Sequence, residues 1–218
     1  MEEQLWSERA EAYFASTAHT QGKDLDTIIK WCEPKAGVTA LDVATGARHV
    51  ARRLTEAGCE VTSCDSAAGM DPDVVCRAEE LSFPDAIFDV VTCRLGGHHF
   101  DDVQKAVCEM ARVSRKLVVI EDTLYTDDRV EEAEKLRDAS HVRSYTENEW
   151  REFLAAAGLK VVKIAQYEMK HSMEEWLART GCAGETAERV RGLLMHRRAR
   201  HGKWTDRKVL IKASRTKR

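Results

Sequence analysis

The chain has 218 residues, 43% of them hydrophobic, which is enough for a full core, and we expect residues 1–218 to form a single domain. It has no run of about 18 apolar residues, and its acidic N-terminus lacks the basic and apolar regions of a signal peptide. These features argue against a membrane or secreted protein and for a soluble, cytoplasmic one. The net charge of −3 is unevenly distributed along the chain.

Apolar runs alternate with helical periodicity along most of the chain, a pattern typical of a parallel sheet covered by helices. Residues 1–35 form a predicted N-terminal helical segment, with helices near 3–15 and 22–32. Strands are predicted at 39–43, 60–65, 73–77, 87–93 and 115–121, with helices at 48–58 and 101–113. We then predict helices at 128–138 and 146–157, a strand at 159–167, two helices within 173–199 and a strand at 207–213. The fold class is therefore α/β.

The first strand ends in a turn of small residues that opens a helix. Twenty-three residues after Asp42, the second strand ends in Asp65. Backbone N–H groups of such a turn approach a ligand closely, and an acid at the tip of the next strand accepts hydrogen bonds from ribose hydroxyls. The pairing predicts a site for a nucleoside-containing cofactor. In the alternative interpretation, Asp65 caps the next helix and Asp42 orders the turn.

The segment 122–150 is the predicted cap of this site. It lies between the fifth and sixth strands and is rich in polar and charged residues, and ligands of open α/β sheets lie beyond the carboxyl ends of the strands. Thr146 and Glu149 have the spacing of a capping box that opens a helix. Substrate contacts are expected from this cap and from the N-terminal helices.

The C-terminal region is strongly basic. From Arg189 onward there are twelve Lys or Arg residues and one acid, Asp206, so this region carries +11 and the remainder carries −14. Such charge could bind phosphates or nucleic acid. We favour solvated faces of a helix and an edge strand, because Lys208 to Lys212 encloses an apolar run and Trp204 is the one aromatic residue available for stacking.

The seven cysteines are widely spaced and form no Cys-x-x-Cys pair. Several fall inside apolar strands, so we interpret them as reduced, buried small hydrophobes, without a disulfide framework or a metal site. A thiolate site for a metalloid is the alternative, and burial is the simpler explanation.

Several motifs together identify a family resemblance. They are Leu41-Asp-Val-Ala-Thr-Gly46, Asp65, the run from Ala78 to Arg94, and His98-His99-Phe100. The chain resembles class I S-adenosylmethionine-dependent methyltransferases, and within them the ubiquinone and menaquinone biosynthesis C-methyltransferases. The similarity extends upstream through Tyr13-Phe-Ala-Ser16, His19 and Gly22 to Leu25, and downstream through Asp138 to Tyr145. It implies a Rossmann-like fold, with a mostly parallel seven-stranded sheet, an antiparallel last strand and helices on both faces.

The resemblance also implies the cofactor S-adenosyl-L-methionine and the residues that bind it. The turn residues Asp42, Ala44 and Gly46 would lie beside its methionine part, and Asp65 would hold the ribose. The backbone at Ala78 and Glu79 would meet the adenine, and the end of the fourth strand, from Cys93 and Arg94 to Leu95, would offer a carbonyl to the cofactor's amino group.

Methyl transfer demands mainly alignment from the protein, because the sulfonium is already activated. We therefore predict direct in-line transfer to a small-molecule acceptor without a metal. His98, His99 and His141 are candidates for a general base, since a neutral imidazole takes a proton near pH 7. Predicted substrate contacts are Tyr13, His19, Arg143 and Tyr145. Ordinary packing, helix capping or loop packing is the alternative for these histidines.

The sequence departs from the family pattern on the cofactor side. Arg48 replaces a loop glycine, Arg77 stands where members often carry an aspartate, and the segment after Asp65 is too short for the usual helix. A Pro-Gly-Gly turn before the fifth strand is also missing. These departures leave open a degenerate member that serves as a binding module, and the basic region leaves open RNA methylation. The sequence identifies neither the acceptor atom nor the oligomeric state.

Overall fold

The computed structural model describes Trp6, Phe14 and residues 22–195 and 202–215. The strands in this part of the chain are β1 (Thr39–Val43), β2 (Glu60–Asp65), β3 (Val74–Val75), β4 (Phe88–Arg94), β5 (Ser114–Thr123), β6 (Leu159–Ser172) and β7 (Lys203–Arg215). The α-helices are α1 (Lys23–Cys32), α2 (His49–Glu56), α3 (Val103–Val113), α4 (Asp128–Arg137), α5 (Glu147–Ala156), α6 (Met173–Ala178) and α7 (Gly184–Leu194). Of the helices so described, none is both long and apolar enough to span a bilayer.

The strands form one sheet in the order β3-β2-β1-β4-β5-β7-β6. Strands β1 to β5 pair in parallel, whereas β7 runs antiparallel to both β5 and β6. Apolar residues of α3 and α5 pack on one face of the sheet, and those of α1 and α2 pack on the other. The predicted doubly covered sheet with an antiparallel last strand is confirmed. The predicted helix near 3–15 lies largely outside the described residues.

The strand register brings the carboxyl ends of the central strands together. Val43 at the end of β1 is opposite Cys64 of β2 and Cys93 of β4. On the other side of β4, Arg94 is opposite Glu121 of β5. Side chains and turns that follow these strands therefore meet at one edge of the sheet, where ligands of open α/β folds bind.

The position of β7 corrects one prediction. It is an internal strand between β5 and β6, and Lys208 and Lys212 on it are buried instead of solvated. Each buried ammonium has a carboxylate partner, since Lys208 Nζ lies 2.8 Å from Asp206 Oδ2 and Lys212 Nζ lies 2.5 Å from Glu33 Oε1. Pairing reduces the cost of burying these charges, and the apolar run between them fills the core.

Three local predictions agree with the structure. Between β2 and β3 there is only a short 3₁₀ turn, Ala68–Met70, and α3 leads directly into β5 at Ser114. The capping box is formed, because Thr146 Oγ1 accepts from Glu149 N at 3.2 Å while Glu149 Oε2 accepts from Thr146 N at 2.8 Å.

The seven cysteines are all free thiols. Four of them are buried, namely Cys32, Cys59, Cys64 and Cys93. Cys76 and Cys182 are partly buried, and Cys108 is exposed, which differs from the expectation of general burial.

Candidate active site

A cavity of about 190 Å³ opens at the carboxyl ends of the central strands. Its first side, here called the loop wall, consists of residues from the β1–α2 turn and the ends of β2 and β3: Asp42, Ala44, Thr45, Gly46, Ala47, His49, Asp65, Ser66, Met70, Cys76, Arg77, Ala78 and Glu79. The segment after β4 forms the middle: Arg94, Leu95, Gly96, His98, His99 and Phe100. The far side, here called the polar wall, comprises Thr123, Glu134, Arg137, His171, Trp176, Arg179, Asp206 and Lys208.

The turn after β1 is organised by the buried carboxylate of Asp42. Its Oδ2 accepts from Thr45 Oγ1 at 2.6 Å and from Ala51 N at 3.2 Å, while Oδ1 accepts from Thr92 Oγ1 at 2.8 Å. Burial raises the pKa of Asp42, although these hydrogen bonds oppose the effect. Asp42 thus orders the turn from beneath.

The turn itself presents its backbone to the cavity. Ala44 and Gly46 both have left-handed backbone conformations, with φ of 51° and 48°. A Cβ at Gly46 would meet no atom within 4 Å, so the chain here borders open space. Backbone N–H groups at such a turn can approach a ligand closely.

Asp65 lies at the tip of β2 beside this turn. Its Oδ2 accepts from Gly46 N and its Oδ1 accepts from Ala67 N, each at 3.0 Å. Burial raises the pKa of Asp65, and the backbone hydrogen bonds oppose the rise. The backbone N–H of Ser66 also donates to this carboxylate, whose two oxygens together offer about four acceptor positions, so capping still leaves capacity for a ligand donor.

Arg48 has its side chain directed away from the cavity. Its Nη1 donates to the carbonyl of Asp71 at 2.7 Å, and its Nη2 lies 2.9 Å from Asp73 Oδ1. Arg48 adopts φ 60° and ψ 27°, the left-handed conformation that glycine adopts easily. The substitution therefore keeps the backbone of the turn while placing the cation elsewhere.

The segment after β3 supplies the outer part of the loop wall. Ala78 and Glu79 are buried there, and Glu79 Oε1 accepts from Asp102 N at 3.3 Å. Arg77 also borders the cavity, and its guanidinium pairs with Asp101 at 2.6 Å and with Glu79 at 3.5 Å. The cation at this position is thus balanced by neighbouring carboxylates.

The two residues predicted at the end of β4 differ in placement. Cys93 lies in the main core behind the cavity, whereas Arg94 borders it. The Arg94 side chain is 7% exposed and pairs with Asp24 Oδ2 at 2.6 Å and with Glu121 Oε2 at 3.1 Å. Burial raises the pKa of Glu121 to about 7, against the effect of the Arg94 charge. The side chains of Asp24, Arg94 and Glu121 thus connect α1 with β4 and β5 beside the cavity.

The ring and the backbone of His98 are both held by the carboxylate of Asp122. Its Nδ1 contacts Asp122 Oδ1 closely, and its backbone N donates to Asp122 Oδ2 at 3.0 Å. A Cβ at the preceding Gly97 would lie 2.7 Å from Trp150 Cη2, so only glycine allows this close approach. A proton on Nδ1 that is shared with Asp122 leaves Nε2 as the unprotonated nitrogen.

The other candidate histidines have different surroundings. His99 borders the cavity, and its Nδ1 donates to the carbonyl of Ser140 at 2.9 Å, while burial lowers its pKa well below the ordinary value. His141 is buried behind them, its ring centroid 5.4 Å from that of His98, and its Nε2 lies 3.3 Å from Glu131 Oε1. His98 and His99 therefore reach the cavity, and His141 does not border it.

The predicted substrate contacts fall away from the cavity or outside the described residues. Arg143 pairs with Glu149 on the surface, and the ring of Tyr145 packs in the core against Trp150. Neither borders the cavity, because their contacts with Glu149 and Trp150 turn them toward α5. Tyr13 and His19 lie outside the described residues.

Sequence reasoning missed the polar wall and His49. On β7, alternate residues Trp204, Asp206 and Lys208 are buried on one face, and His171 at the end of β6 is opposite Trp204. This period-two pattern of polar and aromatic residues is the signal that could have identified the wall. Burial lowers the pKa of His49 to about 4, so its imidazole is neutral beside the turn.

The strand order, the single antiparallel strand and the acid beside a small-residue turn define a class I methyltransferase fold with its ligand edge open. The chain belongs to the methyltransferase family: a family model described as a methyltransferase domain matches residues 41–119. An uncharacterized methyltransferase of Bacillus subtilis, YcgJ, is 32% identical over 214 residues, which cover 88% of this chain and 83% of that protein.

Further comparisons agree with this assignment. The crystal structure of YcgJ superposes with a TM-score of 0.82 at 26% identity, covering 89% of this chain and 99% of that chain. A demethylmenaquinone methyltransferase of Thermus thermophilus is 36% identical over 102 residues, 45% of this chain and 42% of that protein. A geranyl diphosphate methyltransferase in complex with GPP and sinefungin shares the fold, with a TM-score of 0.65 at 12% identity over 88% of this chain and 76% of that chain.

Proposed function

We propose that this methyltransferase binds S-adenosylmethionine along the loop wall and transfers its methyl group in line to a small-molecule acceptor. The observation that carries the proposal is the position of Asp65. Its partly buried carboxylate stands beside the backbone of the β1 turn, where it accepts from Gly46 N and Ala67 N and keeps acceptor capacity for a ligand. This arrangement suits the two hydroxyls of a ribose.

The loop wall offers groups that match the parts of the cofactor. Asp65 would hold the ribose, the backbone of Ala44 and Gly46 would face the methionine part, and the backbone of Ala78 and Glu79 would meet the adenine. The loop wall carries three carboxylates and one cation, Arg77, which is itself paired with Glu79 and Asp101. The cation of the turn, Arg48, is paired with Asp73 outside the cavity. A positively charged sulfonium therefore meets a favourable field.

When bound, the cofactor supplies an activated methyl group, whose carbon–sulfur electron pair returns to sulfur as the acceptor forms the new bond. His98 takes the proton that the acceptor loses, through its Nε2. Asp122 keeps the other ring nitrogen protonated and stabilises the imidazolium that forms. The same Asp122 fixes the backbone of His98, so ring and chain are positioned together.

Isothermal titration with S-adenosylmethionine and with S-adenosylhomocysteine tests the cofactor assignment. We expect both to bind, and we expect Asp65→Ala to weaken binding by roughly 1.5–3 kcal/mol, the value of charge-assisted hydrogen bonds. Asp26→Ala is the matched control, because Asp26 pairs with Arg53 on the surface, away from the cavity. No binding of either compound at high micromolar concentration would refute the proposal, and unchanged affinity of Asp65→Ala would remove Asp65 from the site.

The alternative function is a binding module that has lost its cofactor. Arg77 on the cavity wall and the short segment after Asp65 favour it. The titration separates the two functions directly, because a degenerate member binds neither compound.

RNA methylation is less favoured. Several cations of the basic region are engaged within the chain: Arg189 with Glu132, Arg191 with Glu174, Lys208 with Asp206, and Lys212 with Glu33. An RNA-binding isotherm that depends steeply on salt would support RNA as a substrate instead.

A further inference from the structure

The polar wall is an unusual environment for the far end of the cavity. It is formed by the end of β5, the end of β6, the start of β7 and the helices α4 and α6. His171, Asp206 and Lys208 on it are each less than one tenth exposed. Buried ionisable groups are costly to retain unless they are paired or have a ligand to bind.

The carboxylate of Asp206 has one engaged and one unpaired oxygen. Lys208 Nζ and His171 Nε2 lie 2.8 Å and 3.2 Å from the same atom, Asp206 Oδ2. Oδ1 is buried and has no hydrogen-bond partner among the described residues. An unpaired buried acceptor is costly, so a ligand that donates a hydrogen bond here relieves that cost.

Arg137 supplies an oriented cation that borders the same cavity as this acid. Its guanidinium lies 4.2 Å above the ring of Trp176, and its Nη2 is 3.4 Å from Glu134 Oε2 and 3.5 Å from Asp138 Oδ2. Its Nε is buried without a hydrogen-bond partner among the described residues. A planar guanidinium held in this way is suited to bind a carboxylate.

The polar wall carries charges of both signs. Arg137, Arg179 and Lys208 border the cavity together with Glu134 and Asp206, and Trp176 adds an aromatic ring. A ligand that carries both a negatively charged group and a hydrogen-bond donor matches this mixture.

We propose that the polar wall binds the methyl acceptor, and that the acceptor is a small acid carrying a carboxylate together with a hydroxyl or amino group. The carboxylate pairs with Arg137, and the hydroxyl or amino group donates to Asp206 Oδ1. An apolar quinone, the substrate class in the name of the demethylmenaquinone methyltransferases, does not match these groups. This inference rests on the proposed function, because it names the acceptor of the same reaction.

A small panel of probes tests the inference with the unmodified protein. The panel comprises 3-hydroxybenzoate, 3-hydroxybutyrate, benzoate, phenol and menadione, titrated with and without saturating S-adenosylhomocysteine. We expect at least one of the two hydroxy acids to bind about tenfold more tightly than benzoate or phenol, and menadione to bind most weakly.

Two variants assign the contacts individually. Asp206→Asn should remove most of the difference in affinity between 3-hydroxybenzoate and benzoate, which lacks the hydroxyl group. Arg137→Gln should remove most of the difference in affinity between 3-hydroxybenzoate and phenol, which lacks the carboxylate. Both variants should bind S-adenosylhomocysteine with an affinity within about twofold of that of the unmodified protein. Arg189→Gln is the matched control, because this exposed residue pairs with Glu132 outside the cavity and should change none of these affinities. If Asp206 or Arg137 had only a structural role, its replacement would lower the affinities for all probes and for S-adenosylhomocysteine together. If Asp206→Asn does not fold, Arg137→Gln and the unmodified protein still decide whether the wall binds a hydroxy acid.

The outcomes separate the two levels of the proposal. If S-adenosylhomocysteine binds but neither hydroxy acid does, or menadione binds more tightly, the acceptor assignment is overturned while the cofactor assignment stands. If the hydroxy acids bind as expected and S-adenosylhomocysteine does not, the methyltransferase function fails and the acid site remains.

Discussion

Replacing Arg48 by glycine tests whether the departure from the family pattern obstructs the cofactor. Arg48 has a left-handed backbone, and an L-residue with a side chain costs about 1–2 kcal/mol there. Its guanidinium forms a partly exposed pair with Asp73, of the kind that contributes about 0–1 kcal/mol. Glycine also loses about 0.4–1 kcal/mol through the entropy of the unfolded chain. We therefore expect Arg48→Gly to change the free energy of unfolding by no more than about 1.5 kcal/mol in either direction.

A second variant isolates the backbone effect. Arg48→Gln removes the same ion pair but retains the Cβ, so we expect it to be less stable than Arg48→Gly by about 1 kcal/mol. Urea unfolding with linear extrapolation measures both values. Arg53→Gln is the matched control, since Arg53 forms a similar surface pair with Asp26 from an ordinary helical position.

The affinity for the cofactor product shows whether Arg48 obstructs the cofactor site. Because the Arg48 side chain points away from the cavity, we expect both variants to bind S-adenosylhomocysteine within about twofold of the unmodified protein, a difference below about 0.4 kcal/mol. A gain of tenfold or more in Arg48→Gly would show that the arginine obstructs the site. Equal stability of the glycine and glutamine variants would show that the left-handed turn is not strained.

Further predictions concern packing, access and pH. Gly97→Ala should lower the free energy of unfolding by about 1–3 kcal/mol in urea titrations, because the new Cβ would lie 2.7 Å from Trp150 Cη2; an unchanged value would contradict the tight packing there. The pKa of Cys76 is lowered to about 7 by a hydrogen bond from a neighbouring thiol, and this residue borders the loop wall. Bound S-adenosylhomocysteine should therefore slow alkylation of Cys76 by iodoacetamide but not that of exposed Cys108, as followed by mass spectrometry; equal protection would place the ligand elsewhere. Burial raises the pKa of Glu131, but its histidine and backbone partners outweigh this and lower the pKa to about 2. Since the folded pKa lies below the ordinary 4.5, its stabilisation is complete above that pH and is lost as the pH falls toward 2, so Glu131→Gln should flatten acid unfolding in this window.

Local patterns made much of the fold predictable from the sequence. The strands β1, β4 and β5 each contain a short apolar run bounded by a turn or a helix, so their positions follow from the local pattern. The small-residue turn after β1 and the acid that ends β2 were also predictable, because each is recognised from a short stretch of sequence, although their contacts with Thr92 and with each other are long-range.

Long-range contacts explain what the sequence did not reveal. The direction of Arg48 depends on Asp71 and Asp73, more than twenty residues away. The polar wall depends on His171 of β6 meeting Asp206 of β7, and the charge pattern alone made β7 resemble a solvated edge strand. Burial of a lysine in a strand becomes understandable only when its partner is known.

A crystal structure of the protein with S-adenosylhomocysteine tests the central claim most directly. We predict electron density along the loop wall, with both ribose hydroxyls about 2.7–3.1 Å from the carboxylate oxygens of Asp65 and with the sulfur directed toward His98. Density at another position, or ribose hydroxyls without contact to Asp65, would contradict the assignment of this cavity as the cofactor site.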